Sequence, residues 1–224
     1  MSAGRNVFAP KSSRILRVLL VNLGKDWDER ELATEANVSS GLVHYVCKRL
    51  IELGSAGRDG QNRIVVLDPM RLLRRWASYH EYDHANKFLE YYTFEKEIDQ
   101  FLGKIADVDL KYALSGLAAA WLVAPYVRPV DVHFYIPAED LAVKFAEKLE
   151  LSPTPRGGNV KFVVPYDEGV FYGMREVRGA KVVSNVQLYV DLYNYPARGE
   201  EAASQLLEVM LKEWRQKKEG LQNV

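Results

Sequence analysis

The stretch ATEANVSSGLVHYVCKRLIELG, residues 33–54, decides how the N-terminal part of the chain is read. A polar break, Asn37-Val38-Ser39-Ser40-Gly41, separates two segments of apolar helical periodicity. Ser39 is a good N-cap, and Val38 and Val43 are placed to staple across the start of the second helix. That helix is expected to run to about Leu53 and to stop at Gly54, a residue favoured just past a helix end. With about 100° per residue, Val43, Val46, Cys47, Leu50 and Leu53 share one side. Gly41, Tyr45, Lys48 and Glu52 centre the opposite side, with His44 and Arg49 flanking them. The outer face therefore offers hydrogen-bonding and cationic groups, with a small residue near its start where close approach is possible.

Upstream, SSRILRVLLVNL (residues 12–23) places Ile15, Leu16, Leu19 and Leu20 at helical spacing, with the arginines expected elsewhere. In KDWDERELATEA, Asp28 and Glu31 make a capping-box-like start, Trp27 can staple onto Leu32, and the short helix ends near Ala36. Downstream, SAGRDGQNRIVVLDP reads as a β-hairpin turning around Asp59-Gly60, with a second strand over residues 63–67 and with Arg58 and Arg63 near its tip. Three helices and a basic hairpin in this order predict a winged helix-turn-helix over residues 1–68. The break is then the turn between its second and third helices. The bland alternative is a small helical unit whose third helix faces only water.

Charge is distributed unevenly. Residues 1–75 carry 13 Lys/Arg against 8 Asp/Glu, whereas the whole chain carries 30 of each. An excess of cations at one end fits contact with a polyanion, or merely a solvated basic surface. Nearly half of the 224 residues are hydrophobic, a globular composition. No apolar run approaches the roughly 20 residues that span a bilayer. The N-terminal stretch has only a short apolar patch broken by Arg14 and Arg17, so no secretory signal is read. Cys47 stands alone, which leaves no intramolecular disulfide. A cytoplasmic protein without membrane association is expected.

Asp68-Pro69 should start a further helix that buries Leu72, Leu73 and Trp76 and exposes Arg71, Arg74 and Arg75. It serves as a linker over residues 69–85. Its end holds His80 and His84, an i,i+4 pair that could bind zinc, but histidines at a helix end need no metal, and none is expected. From Asn86 strands alternate with helices, the last of them GEEAASQLLEVMLKEW with Ala203, Leu206, Leu207, Met210 and Trp214 inward. Ser184 with Gln187 forms a capping box for the helix before it. The fold class is α+β, with a mixed sheet and flanking helices over residues 86–224.

One constellation bears on phosphoryl chemistry. Polymerase β-like nucleotidyltransferases place a Gly-Ser pair at a helix start for the triphosphate and two carboxylates one residue apart on the next strand for Mg²⁺. Here Ser115-Gly116 stands at a helix start and Asp131-Val132-His133 on a strand. Alternation puts Asp131, His133 and Tyr135 on one face and Val130, Val132, Phe134 and Ile136 on the other. The layout resembles that fold, but His133 occupies the second carboxylate position, and neutral imidazole is a poor ligand for a hard cation. A vestigial nucleotide site without catalysis or cofactor is expected. Equally, Ser115-Gly116 could only start a close-packed helix and Asp131 could only be solvated. No GxSxG, GxxxxGK[ST], CxxC or HExxH motif is present. Arg156-Gly157-Gly158 reads as a connecting loop.

The ordered set LDPMRLLRRWA, LSGLAAAWL, VDVHFYI and VFYGMREVRGAKVVSNVQLYVDLYNYPARGEEAA resembles the AbiEi-type antitoxins of type IV toxin–antitoxin systems, and nearly the whole chain follows the pattern. Asn185 departs from it, standing where proline is expected. The resemblance implies an N-terminal unit that binds inverted repeats in double-stranded DNA and represses its own promoter. It also implies a C-terminal domain that counteracts a nucleotidyltransferase toxin without needing a stable complex. A homodimer would match inverted repeats. Ser39, Ser40, Gly41, His44, Tyr45, Lys48 and Arg49 are the candidates for the major groove, and Arg58 and Arg63 for phosphate or minor groove. A residual nucleotidyltransferase around Ser115, Gly116 and Asp131, or a ligand-sensing regulator, are the competing readings.

Overall fold

The computed structural model describes residues 6–196 and 198–222, and the side chains up to residue 216. The first five residues read for a signal therefore lie outside it. Among the described residues the chain is α+β, with ten α-helices, a two-stranded hairpin and a mixed seven-stranded sheet.

The chain opens with α1 (Pro10–Val21), α2 (Glu29–Glu35) and α3 (Ser40–Glu52). Local chemistry fixes these ends. The Asp28 carboxylate accepts from the backbone N–H groups of Arg30 and Glu31 at the start of α2, and Ser39 Oγ accepts from Leu42 N–H at the start of α3. Glu31 does not reach back to complete a capping box, because its carboxylate pairs with Lys25 at 2.6 Å. Two six-to-one closures end the helices: Val38 N–H to Ala33 C=O after α2, and Ser55 N–H to Leu50 C=O after α3. Each needs a left-handed residue just past the helix, supplied by Asn37 (φ 50°) and Gly54 (φ 69°). The hairpin follows as β1 (Ala56–Arg58) against β2 (Ile64–Val66).

Next come α4 (Pro69–Tyr79), capped by Asp68, and α5 (Tyr82–Ala85). His80 is extended and lies between them, so His80 and His84 do not share one helix as the spacing suggested. The remaining elements are β3 (Lys87–Tyr92), α6 (Ile98–Ala106), β4 (Ala113–Ser115), α7 (Gly116–Val123), β5 (Val132–Tyr135), α8 (Asp140–Lys148), β6 (Ser152–Pro153) and β7 (Val160–Val164). A short 3-10 helix (Glu168–Phe171), β8 (Arg175–Val177), β9 (Ala180–Val182), α9 (Asn185–Tyr193) and α10 (Gly199–Gln222) complete the chain. Sheet order is β6-β3-β7-β5-β4-β9-β8, with β5–β7 and β4–β9 parallel and the other pairs antiparallel.

The central strand β5 is buried on both faces, as strands with layers on either side are. Phe134 packs with Phe162 on Phe145 of α8. His133 and Tyr135 meet Tyr82 on the other side. Val130 departs from the expected alternation: it precedes the strand and is 83% exposed.

Two side chains, Arg17 and Gln187, differ from the sequence reading for one reason, the close seating of α1 on α9. Arg17 is fully buried, although helical periodicity placed it outside. Its Nε donates to Gln187 Oε1 at 2.6 Å, another nitrogen donates to Ser13 Oγ at 2.9 Å, and a third to Tyr166 Oη. Gln187 is thereby drawn away from the capping-box role, although Ser184 Oγ still accepts from Gln187 N–H. Leu207 is only half-buried on α10. At the departure from the family pattern, Asn185 spends its amide on Glu213 of α10 at 3.0 Å and accepts from Arg175 at 2.5 Å.

Candidate nucleic-acid interface

Burial divides α3 as its periodicity requires. Val43, Val46, Cys47 and Leu50 have no exposed surface, and burial pushes the Cys47 thiol up to about 12. Ser39, Ser40, Gly41, His44, Lys48 and Arg49 are exposed, and Tyr45 is half-buried. Among the described residues this face keeps open surface at Lys48. Along the Tyr45 edge runs a cleft of about 680 Å³ bounded by Phe8, Arg49, Leu53, Arg75 and Tyr79. At the start of α3 lies a second cleft of about 800 Å³, reached by Lys11, Arg30, Thr34, Asn37, Ser39 and Ser40.

Most cations around α3 are engaged within the chain. Arg58 on β1 donates to a Glu29 carboxylate oxygen, and His44 Nδ1 lies 3.3 Å from the other. Arg63 pairs with Asp59 at 2.7 Å and Asp26 at 3.1 Å. Arg49 pairs with Glu52. Lys48, Lys11 and Arg30 have no acidic partner within 4.0 Å among the described residues, so their charge is undiminished.

The second constellation comes together inside the sheet. Ser115 and His133 are partners in the β4–β5 register. Gly116 takes a left-handed φ of 63°, and a Cβ there would sit 3.6 Å from the His133 ring. Ser115 Oγ donates to Asp191 at 2.6 Å instead of capping α7. His133 Nδ1 meets Tyr82 Oη at 3.0 Å and Nε2 meets Asp131 at 3.1 Å, with the Tyr82 ring stacked on it. Asp131 also accepts from Lys161 at 3.0 Å and from Tyr195 at 3.3 Å. Ser115, Gly116 and His133 are buried, and the polar side chains among the four are spent on internal partners.

Sequence reasoning missed the polar chain behind this cluster. Asp191 accepts from Ser115 and from Gln187 (2.7 Å) and lies 3.1 Å from His80 Nε2; Gln187 leads on to Arg17. The Ser13/Arg17 and Gln187/Asp191 spacings of four were the local hints, and neither tells a buried polar side chain from an exposed one. Among the described residues no group of three or more His, Cys, Asp or Glu could hold a metal ion. No described helix is long and apolar enough to cross a membrane.

The family model described as transcriptional regulator, AbiEi antitoxin of type IV toxin–antitoxin systems matches residues 63–212, well over half of the chain. The chain belongs to this family. It is thus a member of a family of antitoxins that are transcriptional regulators. Neither a curated protein nor a solved structure matches it. The AbiEi match begins at the second strand of the hairpin, so α1, α2 and α3 lie outside it.

Proposed function

We propose that residues 1–68 form a winged helix-turn-helix that binds inverted repeats in the chain's own promoter, making it an autorepressor. In this reading residues 69–85 link it to a nucleotidyltransferase-like domain, residues 86–224, which counteracts a nucleotidyltransferase toxin and is not itself an enzyme. The observation that carries the reading is the outer face of α3: exposed, polar, and bearing Lys48 without an acidic partner among the described residues. Its axis follows a tight capped turn, and a hairpin stands beside it, the arrangement by which such units enter the major groove. Regulator membership of the family supports it further. Two copies bound to an inverted repeat would form a two-fold assembly.

Absence of catalysis is inferred from the spent hydroxyl of Ser115, from the imidazole of His133 in place of a second carboxylate, and from the Tyr82 ring covering it. A triphosphate needs open donors and a metal clamp, and neither is on offer at these residues.

Binding of the full chain to a duplex from upstream of its own reading frame tests the reading. Lys48→Ala is expected to weaken binding by about 1–3 kcal/mol if it meets a base edge, or to lower the salt slope by about 1 if it meets phosphate. Arg49→Ala should cost less, because the Arg49 charge is already paired with Glu52. Unchanged affinity and slope in Lys48→Ala would remove this helix from the interface.

A further inference from the structure

The cations that hold DNA need not be those nearest the tip of the hairpin. Phosphate contact yields affinity by releasing condensed counterions, and each phosphate neutralised contributes about 0.9 to the salt slope. A guanidinium already neutralised by carboxylates brings less. If it turned to DNA, it would leave an acid facing the phosphates. Arg58 beside Glu29, and Arg63 between Asp26 and Asp59, are in that position.

The cleft at the start of α3 differs. Its walls come from three helices: Lys11 from α1, Arg30 and Thr34 from α2, and Ser40 from α3. Lys11 and Arg30 are exposed, have no acidic partner within 4.0 Å among the described residues, and face a concavity of about 800 Å³. Among the described residues no carboxylate lines it. Its polar lining comes from those two cations, the hydroxyls of Thr34, Ser39 and Ser40, and the Asn37 amide.

We infer that this cleft seats the sugar–phosphate backbone of the bound duplex, with Lys11 and Arg30 as phosphate ligands that set the depth and register of α3. Phosphate contacts of this kind position a protein without carrying sequence information. The inference rests on the DNA-binding reading above. It adds that the anchoring charge lies at the start of the reading helix and not on the hairpin.

Salt titrations of the full chain on its promoter duplex and on an unrelated duplex of equal length test it, with Lys48→Ala run in parallel. Lys11→Ala and Arg30→Ala should each lower the slope of log K against log salt by about 1, equally on both duplexes. Arg58→Ala and Arg63→Ala should change it by clearly less, and Lys11→Arg should retain the native slope. Both key residues are exposed, so unchanged melting should accompany each effect. If Lys48→Ala weakens binding while Lys11→Ala and Arg30→Ala leave slope and affinity intact, the cleft is no phosphate site and the DNA reading stands. Slopes that fall for Arg58→Ala and Arg63→Ala instead would overturn the inference in favour of the hairpin. A native chain that binds neither duplex would overturn the DNA reading and this inference with it.

Discussion

Replacing Asp191 by alanine is expected to destabilise the chain by about 3–5 kcal/mol, the usual cost of breaking a fully buried charged network from one side. Asp191 has no exposed surface and is the shared acceptor for Ser115 Oγ and Gln187 Nε2, with His80 Nε2 at 3.1 Å. Removing it strands these partners where water cannot replace it, and it also leaves Arg17 one step further from a counter-charge. Gln187 is the bridge, accepting from Arg17 while donating to Asp191. Arg17 lies on α1 and Asp191 on α9, so the damage should reach the seating of the N-terminal helices on the sheet layer. For a chain of this size the loss corresponds to a melting point lower by on the order of 10 °C. Asp191→Asn, which keeps the shape and one acceptor, should fall between. Thermal or denaturant unfolding measures this, and a loss under about 1 kcal/mol for the alanine variant would mean that the network is not the linchpin drawn here.

Asp131→Asn should lower stability at neutral pH by about 2 kcal/mol and flatten its decline in acid. Burial by itself raises the Asp131 carboxyl, but the hydrogen bonds and charges of His133 and Lys161 outweigh it and hold the group well below the ordinary carboxylate range. The side chain is only 15% exposed, so solvent screens these contacts little. A carboxyl depressed in the folded state contributes its full stability above the unfolded value of about 4 and loses it as pH falls toward the folded value. The native chain should therefore lose stability more steeply than Asp131→Asn below about pH 4. Equilibrium unfolding at a series of pH values checks this. Parallel curves would show that Asp131 is not held by His133 and Lys161 in solution.

The helices around α3 were legible because their signals are local. Asp28, Ser39, Asp68 and Ser184 cap from within three residues, and Gly54 ends α3 by its own backbone freedom. The pairing of Ser115 with His133 could also be anticipated, since strand alternation and the antiparallel β4–β5 register bring them together, with Gly116 and Asp131 adjoining in sequence. Their enclosure could not. It depends on Tyr82 and Tyr195, which approach from distant elements and close over His133. Arg17 was misread for the same reason: periodicity identifies one apolar face, and α1 is buried on others besides. Ion pairs such as Arg58 with Glu29, 29 residues apart, decide which cations remain available to a ligand and leave no trace in local sequence.

Lysine footprinting of the full chain, with and without its promoter duplex, tests the central claim most directly. Lys48 on α3 should become protected from acylation at saturating DNA, while the exposed Lys87, Lys148 and Lys212 stay as reactive as in the free chain. Lys48 remaining fully reactive while lysines of the sheet and its helices become protected would contradict the account, because the duplex would then lie somewhere other than against α3.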